Sequence, residues 1–378
     1  MMDKHKSKLD IKELKRLKKE KKKLKEKELL ERLDKTKSLQ ASLAAKPVPK
    51  VNHSFSSLPC FFSSLNEYLQ NIVSGESQAA AGRGYTVGVA VAGSILDNAQ
   101  TPELRTYLAG QVARAAAIFN VDEVVVFNDK KVATAEAEGG AVGRGCVQMA
   151  RILQYLECPQ YLRRNFFPIH SDLKHAGLLS PTDMPHHVRA EEESLYREGV
   201  VVEREAGAGR CWVNIGLKND CLVERSLRAG LRVTVRLGRG YTWDKVARGE
   251  VVSPSEPRTR AGQYWGYTTR VADTLSQVFT GCPHKEGYDL MLGTSERGED
   301  VEAVSLRPFK HLLVVLGGVG GLEAALEADQ GLDISDPKEL FDHYVNVCPN
   351  QGSRTIRTEE ALLITMSALR SKICAANL

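Results

Sequence analysis

The sequence predicts an α/β protein: a parallel sheet whose chain is interrupted by a small inserted β-barrel. Two observations lead there. Apolar, Val-rich runs that stop at glycines alternate with helical stretches in both the first and last parts of the ordered chain, as buried parallel strands do. Between them, from about Glu198, short strand-like runs are separated by Gly-bearing turns, the spacing of a barrel or sandwich. The 378 residues, 42% of them hydrophobic, suffice for two or three domains.

Charge divides the chain unevenly. Residues 1–37 hold 16 Lys/Arg against 8 Asp/Glu, a net of +8, whereas the rest sums to −3. A uniformly basic, histone-like chain is excluded. The first 37 residues lack Gly and Pro and are rich in Lys, Glu and Leu, so they read as a basic helical tail. It is either a solvated tail or a nuclear-import and nucleic-acid arm centred on Lys18–Lys27, and the two are compatible. Residues 38–84, rich in Ser, Ala, Pro and Gly, read as a linker.

The elements follow in order. Tyr85–Ala92 reads as a buried strand, and Thr101 with Pro102 caps a helix to about Phe119. Val121–Phe127 is the next strand, parallel to the first, and Gly145–Tyr161 a further helix. Strand-like runs at Val200–Glu203, Cys211–Ile215, Leu231–Leu237 and Gly249–Ser253 build the β-module. A helix is expected over Thr268–Phe279, then strands at Tyr288–Leu292, His311–Leu316 and Tyr344–Cys348, and a closing helix over Glu360–Leu369. The organisation is thus tail 1–37, linker 38–84, α/β domain 85–192 and 263–378, and inserted β domain 193–262.

Several classes drop out. No apolar run approaches the ~20 residues that span a bilayer, and the charged amino terminus has no adjacent apolar stretch of the signal-peptide kind. The eight cysteines are scattered singly without any CxxC, which suits reduced thiols inside a cell. His170, His175, His186 and His187 lack ordinary zinc spacing, and no metal site is expected.

Arg225–Arg270 carries ten Arg/Lys against three acids, a net of +7, beside Tyr241, Trp243, Tyr264, Trp265 and Tyr267. Arginine forks bind phosphate and exposed aromatics stack bases, as in barrels that hold single strands. The alternative is a solvated arginine-rich sheet with its aromatics in the core. On the first reading Arg232, Arg236, Arg258 and Arg260 contact RNA.

Three loops follow strands of the last third. Gly317-Gly-Val-Gly-Gly-Leu-Glu323 does not fit the dinucleotide fingerprint, because the glycines fall out of step and no βαβαβ half can follow. No P-loop is present either. Thr294–Gly298, Gly317–Leu322 and Asn346–Thr358 nevertheless converge at the carboxyl ends of parallel strands, where open α/β sheets bind ligands. They offer many backbone groups, few acids and no His, which suits an adenosine-bearing cofactor without a phosphate clamp.

Tyr85–Asn98 with Pro102-Glu-Leu-Arg105, Gly293-Thr-Ser-Glu-Arg-Gly298, Val314-Val-Leu-Gly-Gly-Val-Gly-Gly-Leu-Glu-Ala324 and Cys348-Pro-Asn-Gln-Gly-Ser-Arg-Thr-Ile-Arg-Thr-Glu-Glu-Ala361 together resemble the SPOUT superfamily of RNA methyltransferases. They are most similar to its eukaryotic branch with an inserted OB-like domain, whose animal members are linked to centromeres and the mitotic spindle. The resemblance implies a SPOUT-type parallel sheet with a deep C-terminal trefoil knot and S-adenosylmethionine as cofactor. Thr294 and Arg297 would lie at its methionine end, Leu316, Gly317, Gly318 and Gly321 beneath its adenosine, and Asn346, Gln351, Gly352, Ser353, Thr355 and Ile356 over it. It also implies a homodimer. Val319 departs from the family, which places a glutamate there.

The expected activity is methylation of a uridine base, at N3, of large-subunit ribosomal RNA. Arg297, Arg354 or Arg357 would stabilise the developing anion, Arg105 would bind phosphate or the target base, and Glu296 or Glu359 would serve as base. Glu359 also reads as a carboxylate satisfying a helix start. The other reading is a nuclear RNA- or chromatin-associated adaptor with a residual pocket and partners at the kinetochore or spindle. Either way the expected location is the nucleus, with the nucleolus favoured for a ribosomal RNA substrate.

Overall fold

Thr86–Ala92 forms β1, and all seven residues are buried. Such a run is stable only with helices on both faces of the sheet, so it selects a parallel arrangement. The computed structural model describes residues 82–130, 143–207, 209–238 and 245–377. The expected tail, most of the linker, and Arg239, Tyr241 and Trp243 lie outside the described residues.

Six strands form one all-parallel sheet: β1, β2 (Glu123–Phe127), β8 (Thr268–Ala272), β9 (Leu290–Asp300), β10 (His311–Leu316) and β11 (His343–Asn346). Their order is β11-β9-β10-β1-β2-β8. Helix α1 (Pro102–Ile118) begins where expected: the Thr101 hydroxyl accepts from the amide of Leu104 at 3.3 Å, with Pro102 in the first turn. Helix α2 (Arg144–Glu157) turns Met149, Ile152, Leu153 and Leu156 into the core.

Between β2 and β8 the chain builds a closed five-stranded barrel of β3 (Tyr196–Val201), β4 (Cys211–Asn214), β5 (Cys221–Val223), β6 (Arg232–Leu237) and β7 (Arg248–Val252), in the order β3-β4-β5-β7-β6. β6 returns to β3 and closes it; β5 and β7 pair in parallel, the other neighbours antiparallel. The barrel has its own core, around Val213, Ile215, Cys221, Val223 and Val235.

Three expectations are corrected. Thr268–Phe279 is not one helix: Thr268–Ala272 is strand β8, pairing in register with Glu123–Phe127, and only Leu275–Thr280 is helical, as helix α4, after the short helix α3 (Glu256–Ala261). Two threonines and a valine favour a strand where a parallel neighbour is offered. The three-residue strand β5 was not anticipated. Thr294–Gly298, expected as a loop, is carried within the eleven-residue strand β9. There the register on β11 jumps from Gly293 opposite Tyr344 to Glu299 opposite Val345. The five residues between bulge from the ladder, so the segment is extended but free to present its groups.

The barrel is clamped to the sheet domain by a buried ion network. Arg232 donates to both Glu157 oxygens, at 2.7 and 2.9 Å, and to Glu198 at 2.7 Å. Glu198 also accepts from Thr234 and from the Trp265 indole, each at 2.6 Å. Around this clamp lies a cleft of about 1250 Å³, lined by the amino ends of β1, β2 and β8 and by β6 and β7 of the barrel. The opposite, carboxyl ends of the sheet's strands carry the glycine loops.

Candidate cofactor and substrate site

After β10 the chain makes a tight turn, with an isolated bridge between Gly318 and Gly321, into helix α5 (Gly321–Ala328). Gly321 has φ +74°, a conformation glycine adopts without strain. Gly317 is as constrained: a Cβ there would come within 2.6 Å of the Gly321 carbonyl carbon and 2.7 Å of the Leu322 nitrogen.

Contacts knit the three loops together. Thr358, the first residue of helix α6 (Thr358–Ala376), donates its hydroxyl to the Gly317 carbonyl at 2.9 Å. The Asn346 amide donates to the Glu296 carbonyl at 3.0 Å, and Leu316 pairs with Thr294 across β10 and β9. Arg297 reaches Glu323, at the start of α5, at 3.5 Å. Thr294–Gly298, Gly317–Leu322 and Asn346–Thr358 therefore meet at one rim.

The last loop is held by its own side chains. Asn346 accepts from the Cys348 amide, Gln351 donates to the Ser353 carbonyl, and the Ser353 hydroxyl donates to the Thr355 carbonyl at 2.8 Å. Gly352 is exposed with open space around it and Ile356 is half-buried. Arg354 is exposed and, among the described residues, unpaired. The backbone amide of Arg357 donates to the Glu360 carboxylate at 3.1 Å, a helix-capping contact. Glu359 is buried in the first turn of α6, the position of the helix-start reading. Arg105 is half-buried on α1 and donates to the Ala99 carbonyl at 3.4 Å.

Residues that were not anticipated stand at the adjoining strand ends. Ser94 follows β1 and Asp129 follows β2; the Ser94 hydroxyl donates to Asp129 at 2.5 Å and its amide reaches the other oxygen at 3.4 Å. A Cβ on Gly318 would lie 2.5 Å from Asp129 Oδ2 and 2.9 Å from Ser94 Oγ. Beside them Lys130 pairs with Asp97 at 2.6 Å. Burial, together with the Asp129 and Asp97 carboxylates, pushes the Cys146 thiol up to about 12, so this cysteine beneath the rim stays neutral. The sequence signs of this group were that Ser94 and Asp97 fall within the family-like Tyr85–Asn98 segment and that polar Asn128-Asp129 closes an apolar strand.

Three of the four expected RNA-contacting arginines are paired within the chain itself. Arg232 is held in the clamp described above. Arg258 donates to the carbonyls of Arg83 and Tyr85, both at 2.8 Å, and lies 3.5 Å from Asp122. Arg236 is shared between Glu256, at 2.7 Å, and Glu250. Their charge is spent on internal partners. Arg260 pairs with Glu256 only at 3.4 Å and stays mostly exposed. Tyr264, Trp265 and Tyr267, expected as base-stacking groups, are core residues with hydroxyls or indole bonded inward.

The barrel instead presents a different outward row. Register sets Trp212 beside Leu222 and Leu222 beside Arg248, across β4, β5 and β7. The Arg204 guanidinium lies 4.4 Å over the Trp212 ring. Arg225 and Arg248 are exposed at a groove of about 440 Å³, and neither is ion-paired among the described residues.

An all-parallel sheet with glycine-built loops tied together at its carboxyl rim defines an α/β protein made to hold a ligand there. A family model described as "Putative RNA methyltransferase" matches residues 86–369, and the chain belongs to that family. A Homo sapiens protein named 28S rRNA (uridine-N(3))-methyltransferase is 56% identical over 313 residues, covering 80% of this chain and 83% of its own. The proteins of the same name from Mus musculus and Drosophila melanogaster are 58% and 52% identical, over 76% of this chain in each case and over 77% and 62% of their own.

Proposed function

We propose that the chain transfers a methyl group from S-adenosylmethionine to N3 of a uridine in large-subunit ribosomal RNA. The observation that carries this reading is the knitting of three glycine- and amide-rich loops at one rim, in a chain 52–58% identical to proteins named for that reaction. The residues fit the cofactor. At Gly317 and Gly318 neighbouring atoms stand where a Cβ would be, Gly321 and Leu322 at 2.6–2.7 Å from the first and Asp129 and Ser94 at 2.5–2.9 Å from the second, so glycine keeps the turn tight and the rim offers peptide groups for the edge of an adenine. Leu316, Gly317, Gly318 and Gly321 would line one side, with Gln351, Ser353, Thr355 and Ile356 closing the other. The bound cofactor supplies an electrophilic methyl on a sulfonium.

The protein's part is alignment and charge. Holding the two reactants in line supplies up to ~7–11 kcal/mol of the barrier. Arg297, exposed and tied only loosely to Glu323, is free to swing toward the uracil and stabilise negative charge as N3 loses its proton. Arg105 and Arg354 flank the same rim and suit phosphates of the RNA. The Trp212–Leu222–Arg248 row is the barrel's surface for single-stranded RNA. A homodimer belongs to the same reading: Leu104 and Tyr107, one turn apart on α1, are 51% and 50% exposed, and Val319 at the glycine turn is 72% exposed. The trefoil knot is part of the same reading.

The test is direct. Purified protein, S-adenosylmethionine and unmodified large-subunit ribosomal RNA should yield 3-methyluridine, read by mass spectrometry of nucleosides. Cofactor binding in calorimetry without any methylated nucleoside would favour the adaptor reading instead.

A further inference from the structure

We infer that Asp129 is the group that takes the N3 proton of the target uridine, held in position by Ser94; this rests on the functional reading above. Methylating N3 breaks the N3–H bond. The proton passes to a carboxylate oxygen of Asp129, the pair left on N3 forms the bond to the methyl carbon, and the carbon–sulfur pair returns to sulfur. Atoms and charge balance, with one proton finally released to solvent.

Three features distinguish Asp129 at the rim; the exposed Glu296 on the bulge of β9 is the competing acid, with no ion pair among the described residues. The first is place. In the sheet order β10-β1-β2, the glycine turn, Ser94 and Asp129 follow three adjacent strands. The substrate base must lie next to the cofactor, and β1 and β2 are the strands beside the three cofactor loops. Asp129 touches the glycine turn itself, since a Cβ on Gly318 would come 2.5 Å from its Oδ2.

The second feature is availability. Asp97 is paired with Lys130, Glu323 with Arg297, and Glu299 lies 3.3 Å from His343. Asp300 is engaged by the amide of Glu302 at 2.9 Å. Asp129 makes no ion pair among the described residues; the neighbouring Lys130 interacts with it through space but is itself paired with Asp97. One oxygen accepts from the Ser94 hydroxyl, and the other has only the Ser94 amide at 3.4 Å, leaving lone pairs for an N3–H donor. The third feature is preorganisation: two contacts from one residue fix the carboxylate before substrate arrives, which a base within hydrogen-bond reach requires.

The experiment uses the full chain and large-subunit ribosomal RNA under single turnover. Asp129→Asn should slow methylation by about 10²–10⁴-fold, the usual contribution of a general base, while calorimetry finds S-adenosylmethionine affinity within threefold of wild type. The wild-type rate should level off with rising pH, whereas the variant should keep rising about tenfold per pH unit as hydroxide substitutes. A binding readout is independent of turnover. With S-adenosylhomocysteine present, wild type should prefer uridine RNA over the same RNA carrying 3-methyluridine, and Asp129→Ala should bring that preference toward one. A rate within threefold of wild type, or an unchanged pH profile, would overturn the assignment of Asp129 alone. Failure of wild type to methylate would overturn the functional reading and this assignment with it.

Discussion

The hydroxyl of Thr358 donates to the carbonyl of Gly317 at 2.9 Å, tying the first residue of the last helix to the glycine turn 41 residues before it. The carbonyl it occupies belongs to the peptide on which we place the adenine. One such bond is worth about 1 kcal/mol. Thr358→Val should therefore weaken S-adenosylmethionine binding about fivefold with little change in melting temperature. Calorimetry reads both, and an unchanged affinity would show that the tie serves the fold alone.

Gly317→Ala is a harsher change at the same place. Its methyl would meet main-chain atoms at 2.6 and 2.7 Å, and backbone cannot swing aside as a side-chain tip can. The turn must open. Cofactor affinity should fall at least tenfold, and circular dichroism should show the sheet intact.

The clamp between barrel and sheet predicts stability. Glu157→Ala leaves Arg232 half-satisfied and desolvated, and breaking a buried pair from one side costs about 3–5 kcal/mol. Denaturant unfolding should show that loss. Replacing both partners, Glu157→Leu with Arg232→Met, should recover part of it.

Acid should unfold the protein in two stages. Burial, reinforced by His186, lowers His187 to about 4, so the folded state binds fewer protons than the unfolded one between pH 6.5 and 4. That contribution is complete above about 6.5 and is lost on the way down to 4. Burial opposes the charge on Glu157, but His186 and Arg232 outweigh it and hold its carboxyl at about 2. Its contribution is present above about 4.5 and disappears between there and 2. His187→Gln should flatten only the upper stage, as followed by melting temperature against pH.

For the barrel, Arg225→Ala and Arg248→Ala should each reduce RNA affinity and lower the slope of log affinity against log salt by about one. Arg258→Ala should leave that slope alone and lower the melting temperature instead, because its guanidinium holds the carbonyls of Arg83 and Tyr85. Filter binding across a salt series separates the two behaviours.

Much of this molecule could be read in its residues, and the limits have physical causes. The runs Tyr85–Ala92 and His311–Leu316 are apolar because both faces of the strand are covered, so burial is written into them. β8 lies at the sheet edge with mixed exposure and carries no such mark. The basic stripe over Arg225–Arg270 was visible, but net charge says nothing about which face a side chain takes. On β6, Arg232 leans toward two glutamates that come from distant segments. The three loops were legible as turns after strands; Asp129 was not, because its partner Ser94 stands 35 residues away and only the parallel pairing of β1 and β2 makes them neighbours.

The cleft at the amino ends of β1, β2 and β8 marks where the barrel is moored, whereas the knitted loops stand at the opposite ends of the same sheet. A strand of five to seven residues separates the two, roughly 20 Å. On the reading that the barrel also holds RNA, a strand that meets both must reach across at least that distance. A fragment short enough to fill the reaction rim alone would forgo the barrel's grip, and affinity should step up, not climb evenly, once the RNA is long enough to bridge the sheet.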